Sequence, residues 1–170
     1  PDSFFEASLL PELYTALPYL EKFSTAKRIL DEVRSGKIQK QKNYHSLLNA
    51  FAMAACYSPV GSEASASVEF DYPLDLKTGK LKLESWKRWQ DKDPINFLPE
   101  RKENLAKLHS IYLDVGNRDN FHLQYGVRQI SSLLKSMNID HDYTEFDGNH
   151  FDIGDRRIDA WNYLAMKMRA

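Results

Sequence analysis

The order of hydrophobic and polar positions changes character near residue 95. Before that point the chain shows helical spacing twice and then an alternating segment. After it, short apolar runs typical of strands alternate with longer runs of helical spacing. The second part therefore predicts a βαβα unit of the α/β class, in which a right-handed helical crossover joins two parallel strands.

Two strand-like runs frame this unit. Residues 111–115 form the first and end at Gly116, and residues 142–146 form the second and end at Gly148. A short, mostly apolar run is expected of a strand that is covered on both faces of a parallel sheet. Between them, one helical stripe is predicted to face the sheet, formed by Leu123, Val127, Ile130, Leu134 and Met137. The last helix repeats this pattern with Ile158, Trp161, Leu164, Ala165 and Met168.

The first part predicts helices and a hairpin. Ser24 or Thr25 can cap one helix, and residues 44–56 form a second that is apolar on several sides and is expected to be deeply buried. From Val68 an alternating pattern and a turn predict a hairpin, with Pro73 making its first arm an edge strand or a bent one.

Trp86 and Trp89 lie three residues apart on a short predicted helix and share one face. Two tryptophans can line a ligand pocket, but aromatic residues at helical spacing more often pack in a core, and the sequence favours packing.

Composition excludes several classes of protein. The 170 residues are 42% hydrophobic, enough for one globular domain with a real core. The 23 basic and 24 acidic side chains nearly balance, so no field that would draw nucleic acid or an anionic membrane is expected. The single cysteine, Cys56, excludes an internal disulfide and a cysteine-based zinc site, and it reads as a small buried hydrophobe.

The start of the chain carries no signal-peptide pattern, and no apolar run approaches the ~20 residues of a membrane span. We therefore expect a cytoplasmic protein. The chain opens in mid-pattern on Pro1 without an initiator methionine, so we also expect it to be part of a longer protein.

The chemistry-bearing residues are Asp119 and His150, which follow the two predicted strands. In an open α/β sheet, functional groups sit in loops beyond the carboxyl ends of the strands, and these two loops would lie side by side. A histidine there can take the proton from a serine hydroxyl if an ionised carboxylate fixes its tautomer. Asp114 belongs to the strand itself, and Asp147 is too close to His150 in sequence to orient it.

The alternatives at these positions are structural. An aspartate in a turn often caps a helix, and Gly-Asn-His often forms only a turn. The loose pair Asp119 and His122 is the nearest approach to a metal site, and an exposed first-turn histidine is the favoured interpretation of His122. No metal and no cofactor are predicted.

The nucleophile that such a pair needs is missing, since no G-x-S-x-G occurs in the sequence. The serines considered for that role all lack the flanking glycines that expose a serine oxygen on a strained turn: Ser3, Ser8, Ser58 and Ser62.

Three stretches resemble a known family. Residues 113–121, the Leu-Gln-Tyr-Gly start of the helix at Leu123, and residues 144–150 are similar to the acid and histidine motifs of the esterase D-like esterases. These are α/β-hydrolases that include S-formylglutathione hydrolases, siderophore esterases, feruloyl esterases and mycolyl transferases. Weaker similarity runs back to Pro1, to the region between the nucleophile strand and the acid loop.

The resemblance implies that Asp119 is the catalytic acid and His150 the general base of a serine esterase acting on a small carboxylic ester or thioester. It implies the C-terminal part of an α/β-hydrolase fold. Residues 1–95 would be a helical and hairpin region that can serve as a cap, and residues 96–170 the βαβα part of the sheet. The serine would lie upstream, and the chain alone would be inactive.

A non-catalytic function is the alternative: a truncated hydrolase-like module used for binding or oligomerisation. Its contact surface would be the face of Trp86 and Trp89 or the open edge of the sheet.

The sheet edge itself leads to a testable expectation. Two strands are too few for a stable parallel sheet, so the missing N-terminal part of the protein, a second copy or the helical region must cover the edge. We expect the chain to self-associate or to be held by another polypeptide. Sedimentation analysis that finds a clean monomer at micromolar concentration would contradict this expectation.

Overall fold

The computed structural model describes residues 4–23, 25–40, 42–60 and 69–168. The chain forms two compact units, one of residues 10–92 and one that joins the residues up to Leu9 with those from Asp93 onward. Helices predominate, and the one parallel sheet of the described residues has two strands, so the fold is mixed α/β. Among the helices in these ranges, none has both the length and the apolar character to cross a bilayer.

Eight α-helices and four strands follow one another in the described ranges. They are α1 Phe4–Lys22, α2 Ala26–Arg34, α3 Tyr44–Tyr57, β1 Pro59–Val60, β2 Glu69–Phe70, α4 Leu83–Gln90, α5 Pro94–Phe97, α6 Lys102–Leu105, β3 Tyr112–Gly116, α7 Leu123–Ser136, β4 Asp142–Phe146 and α8 Arg157–Lys167. Short 3₁₀ helices lie at Ile38–Lys40, Pro99–Arg101 and His150–Gly154.

The three helices predicted within residues 10–92 are confirmed as α2, α3 and α4. The Thr25 hydroxyl accepts a hydrogen bond from the backbone N–H of Arg28 and so caps α2, while Ser24 lies outside the described residues. Helix α3 is less buried than predicted. Only one side of it is fully enclosed, formed by Ser46, Leu47, Ala50 and Ala54.

The predicted hairpin is wrong in its strands and right in its turn. Asp75 accepts a hydrogen bond from the Thr78 backbone N–H at 2.7 Å, but only a single bridge, between Leu74 and Leu81, joins the two arms. Pro73 has no N–H to extend the ladder, and α4 already begins at Leu83. Strand β2 instead pairs antiparallel with β1, while Val68 lies outside the described residues.

The tryptophan pair lies in the core of its unit, as the spacing favoured. Both side chains are buried, with ring centroids 6.2 Å apart, and the Trp89 indole N–H donates a hydrogen bond to the Ser58 hydroxyl. The expectation that this face could serve as a contact surface is therefore wrong.

Cys56 departs from its predicted burial. It is exposed in the last turn of α3, because the enclosed side of that helix is the one carrying Leu47, Ala50 and Ala54.

The second unit contains the predicted βαβα order. Strands β3 and β4 are parallel, in a register that runs from Tyr112 opposite Asp142 to Gly116 opposite Phe146. Helix α7 crosses between them and buries Leu134 and Met137, which form a core cluster with Ile139. The bounds predicted for β4 are those observed, and β3 begins one residue later than predicted.

The stripe predicted for the last helix does not face the sheet. Ile158, Trp161 and Met168 are 68%, 71% and 77% exposed. Helix α8 turns a different side inward, where the Tyr163 ring lies 5.1 Å from that of Tyr112. The physical reason lies at the start of the helix, where the Arg156 guanidinium bonds the Asp114 carboxylate of β3 and fixes the rotation of α8.

Asp93 connects the two chain segments of the second unit, the residues up to Leu9 and those from Asp93 onward. Its fully buried carboxylate accepts hydrogen bonds from the backbone N–H of Phe5 at 2.7 Å and of Ile95 at 3.1 Å. One side chain therefore accepts hydrogen bonds from backbone N–H groups in the first turns of both α1 and α5. These two helices are separated by more than 80 positions in the chain.

Helix α7 is also tied to β4 by a charged pair. The Arg128 guanidinium donates two hydrogen bonds to the Glu145 carboxylate, one of them with Nε 2.9 Å from Oε2, and the Tyr143 hydroxyl donates to the same carboxylate. These donors hold the pKa of Glu145 below its ordinary value.

A depressed carboxyl pKa stabilises the fold above the unfolded value and loses that effect as the pH falls. We expect Glu145→Gln to be less stable than the native chain at pH 7. The difference in the free energy of unfolding between the two proteins should shrink as the pH falls below 4.5, the ordinary pKa of a glutamate, and through the lowered pKa of Glu145. Urea denaturation at pH 7 and pH 3 measures this change. Asp147→Asn is the control, because Asp147 and its partner Arg118 are mostly exposed and their pair contributes little at either pH.

Candidate active site

Two loops meet beyond the carboxyl ends of β3 and β4. The backbone N–H of Asn117 donates to the carbonyl of Phe146, and that of Arg118 donates to the carbonyl of Gly148, both at 2.9 Å. A Cβ atom added at Gly116 would lie 2.5 Å from the carbonyl oxygen of Gly148, closer than atoms can approach. The absence of a side chain at Gly116 is therefore what lets the loops lie against one another.

Asp119 is the buried centre of the first loop, with its side chain 3% exposed. One carboxylate oxygen accepts hydrogen bonds from the backbone N–H groups of Phe121 at 2.8 Å and of Leu123, the first residue of α7, at 3.4 Å. The other oxygen lies 2.9 Å from Nδ1 of His150. The sequence placed this aspartate either as a helix cap or as a partner of the histidine, and it contacts both the start of α7 and the ring of His150.

His150 is held at both its backbone and its ring. Its backbone N–H donates to the Asn120 side-chain oxygen at 3.3 Å. The imidazole meets the rings of Phe121 and Phe151 edge to face, with centroids 4.8 Å and 5.6 Å away. These contacts fix the position of the side chain and leave 38% of it exposed.

A capping box sets the start of the 3₁₀ helix that carries His150. The Asn149 side-chain oxygen accepts from the Phe151 backbone N–H, and the Asn149 backbone N–H donates to the Asp152 carboxylate, both at 2.8 Å. The spacing Asn149-x-x-Asp152 is a signal of this box that can be found in the sequence. Asn120 carries no such signal, because its contact depends on the meeting of the two loops.

The hydrogen bond to Asp119 fixes the tautomer of His150. An ionised carboxylate can only accept, so Nδ1 carries the proton and Nε2 keeps its lone pair in the neutral ring. Nε2 has no hydrogen-bond partner among the residues that the structure describes. A histidine with an oriented ring and a free Nε2 can accept a proton from a hydroxyl placed beside it.

A cavity of about 130 Å³ adjoins this pair. Apolar side chains form most of its wall, and its polar lining includes Asp114, Asp119 and His150. The apolar part of the wall comprises Val115, Leu123, Val127 and Ile153. Such a wall lowers the local dielectric, which strengthens the attraction between the Asp119 carboxylate and an imidazolium formed at His150.

The other acids near the site have partners of their own. Asp114 bonds Arg156, and Asp147 pairs with Arg118 at 3.2 Å rather than with His150. His122 is exposed at the start of α7, and within the described ranges no group of three or more potential metal ligands occurs.

Of the four serines considered as the nucleophile, the two that the structure describes, Ser8 and Ser58, make no hydrogen bond with His150. Ser8 and Ser58 are both buried, and the Ser58 hydroxyl is occupied by Trp89. Ser3 and Ser62 lie outside the described residues. The site as described is therefore an acid and a base without a nucleophile.

Comparison with protein-family models and with curated proteins finds no match to this chain.

The closeness of the two loops can be tested at Gly116. We expect Gly116→Ala to lower the free energy of unfolding by about 1–3 kcal/mol, because the new Cβ meets backbone atoms that cannot rotate away. Gly154→Ala, with no atom within 4 Å of the added Cβ, should change it by less than about 0.5 kcal/mol. Equal stability of the two variants in urea denaturation would show that the loops are less tightly apposed.

Proposed function

We propose that this chain supplies the acid and the base of a serine esterase that hydrolyses small carboxylic esters or thioesters. The observation that carries the proposal is the 2.9 Å contact between the Asp119 carboxylate and Nδ1 of His150, with Nε2 unpaired and the ring partly exposed. The serine would come from outside the described residues, upstream in the parent protein as the family resemblance implies.

The roles of the two residues follow from the geometry. His150 Nε2 takes the proton from the serine hydroxyl as its oxygen attacks the ester carbonyl, and then delivers that proton to the leaving group. The buried Asp119 carboxylate stabilises the imidazolium formed between these steps. The backbone N–H groups of Phe121 and Leu123 also hold that carboxylate in place, so the acid is positioned before any substrate binds.

The proposal extends to the fold. Two parallel strands, a crossover helix and functional loops at the carboxyl ends of both strands fit the C-terminal part of an α/β-hydrolase sheet. The nucleophile and the donors that stabilise the oxyanion would then be contributed by the remainder of that sheet, so this chain alone should not turn over ester.

A second candidate function is non-catalytic association. The exposed apolar side chains of α8, including Trp161 and Ile158, favour it, since large exposed apolar side chains grouped on one helix are typical of contact surfaces. In that case the Asp119 and His150 contact would serve only to fix the two loops.

The two candidates differ in the effect of one substitution. In a protein that joins this chain to its serine-bearing part, we expect His150→Ala to lower kcat/KM for p-nitrophenyl acetate by roughly 10³–10⁶-fold, because the general base is removed. His122→Ala is the matched control and should retain activity, since the His122 side chain is exposed and makes no hydrogen bond to another residue in the described ranges. Hydrolysis that survives in His150→Ala would refute the proposed role.

A further inference from the structure

The cavity beside His150 contains a second carboxylate. Asp114 lies on β3 with its side chain 8% exposed, and it lines the same cavity as Asp119 and His150. Its Oδ1 atom is buried and has no hydrogen-bond partner among the described residues. His150 therefore lines the same cavity as two aspartates, and only Asp119 bonds it.

Arg156 forms an ion pair with the carboxylate of Asp114. Its Nε donates to Oδ2 of Asp114 at 2.7 Å, and the Tyr112 hydroxyl donates to the same oxygen at 3.3 Å. The guanidinium also lies 4.8 Å from the centre of the Phe146 ring, beneath the second loop. Its hydrogen bond with Asp114 raises the pKa of Arg156, so the arginine is charged at every pH at which the fold exists.

The remaining acids of the second loop are engaged away from the imidazole. Asp147 pairs with Arg118, and Asp152 accepts the Asn149 backbone N–H. Asp114 is thus the one other acid of the cavity wall that can compete with Asp119 for His150. A buried carboxylate that loses its charged partner gains from any further donor, and the imidazole of His150 lines the same cavity as Asp114.

We propose that Arg156 is a positioning residue for His150: by pairing with Asp114, it leaves Asp119 as the only carboxylate that binds the imidazole. This inference rests on the proposed function only in taking the Asp119 and His150 contact as the working pair. It assigns a purpose to a charged pair that no sequence motif predicts, since the two partners lie 42 positions apart.

The test uses the whole 170-residue chain and nuclear magnetic resonance, without any ester. The Nδ1 proton of His150 in its hydrogen bond to Asp119 gives a low-field signal, assigned by its loss in Asp119→Asn. We expect Arg156→Gln to lose or shift this signal. The double variant Asp114→Asn with Arg156→Gln should regain it, because the competing carboxylate is gone.

A purely structural role of Arg156 would give a different result, because removing Asp114 as well could only weaken the packing further. Circular dichroism confirms that each variant is folded. Should Arg156→Gln fail to fold, Arg156→Lys replaces it. Lysine keeps the charge but not the planar fork, so we expect a weakened signal that Asp114→Asn restores.

Arg118→Gln is the matched control, since it removes an arginine of the neighbouring loop whose partner is exposed, and it should leave the signal unchanged. A signal that persists in Arg156→Gln, or one that the double variant does not restore, would overturn the inference. Neither outcome depends on hydrolysis, so the proposed function could fail while this inference holds, and the reverse.

Discussion

The site depends on the close approach of two backbones at Gly116 and Gly148. Each glycine ends or follows a parallel strand, and the backbone hydrogen bonds from Asn117 and Arg118 cross to the second loop only because no side chain intervenes. Parallel strands bring the two loops to the same edge, but pairing alone leaves room between them. Because Gly116 has no Cβ atom, its backbone can come closer to the carbonyl of Gly148. A carboxylate and an imidazole from separate strands therefore meet at hydrogen-bond distance without any strained backbone angle at either glycine.

The carboxylate at this junction satisfies two demands at once. An ionised aspartate is costly to bury unless its oxygens are bonded, and Asp119 meets this requirement with the N–H groups at the start of α7 on one side and His150 on the other. The start of the crossover helix thus helps to hold in place the carboxylate that orients His150.

Local patterns predicted this half of the molecule well. The bounds of β4, the crossover helix and the neighbouring loops of Asp119 and His150 followed from periodicity and strand ends, because those features arise within a few residues. The features that the sequence did not predict depend on distant partners. Helix α1 contains Pro11 and Pro18, which argue against a helix, yet its first turn is capped by Asp93 from far along the chain.

Dependence on distant partners also explains where the sequence-based predictions were wrong. The face that α8 turns inward is set by the contact of Arg156 with Asp114 and by the stacking of Tyr163 on Tyr112, neither of which hydrophobic spacing encodes. The predicted hairpin keeps its turn but forms no regular strands, because β2 pairs with β1 and only one bridge joins the two arms. The contact between Asp119 and His150 is compatible with the proposed acid and base roles.

The double cap made by Asp93 has a topological consequence. Because its carboxylate bonds Phe5, the points at which the chain leaves the unit that carries the site and returns to it are fastened together. Residues 10–92 are thereby an insertion between two joined segments of the unit that carries Asp119 and His150, so a change in the length of this insertion costs little additional loop-closure entropy.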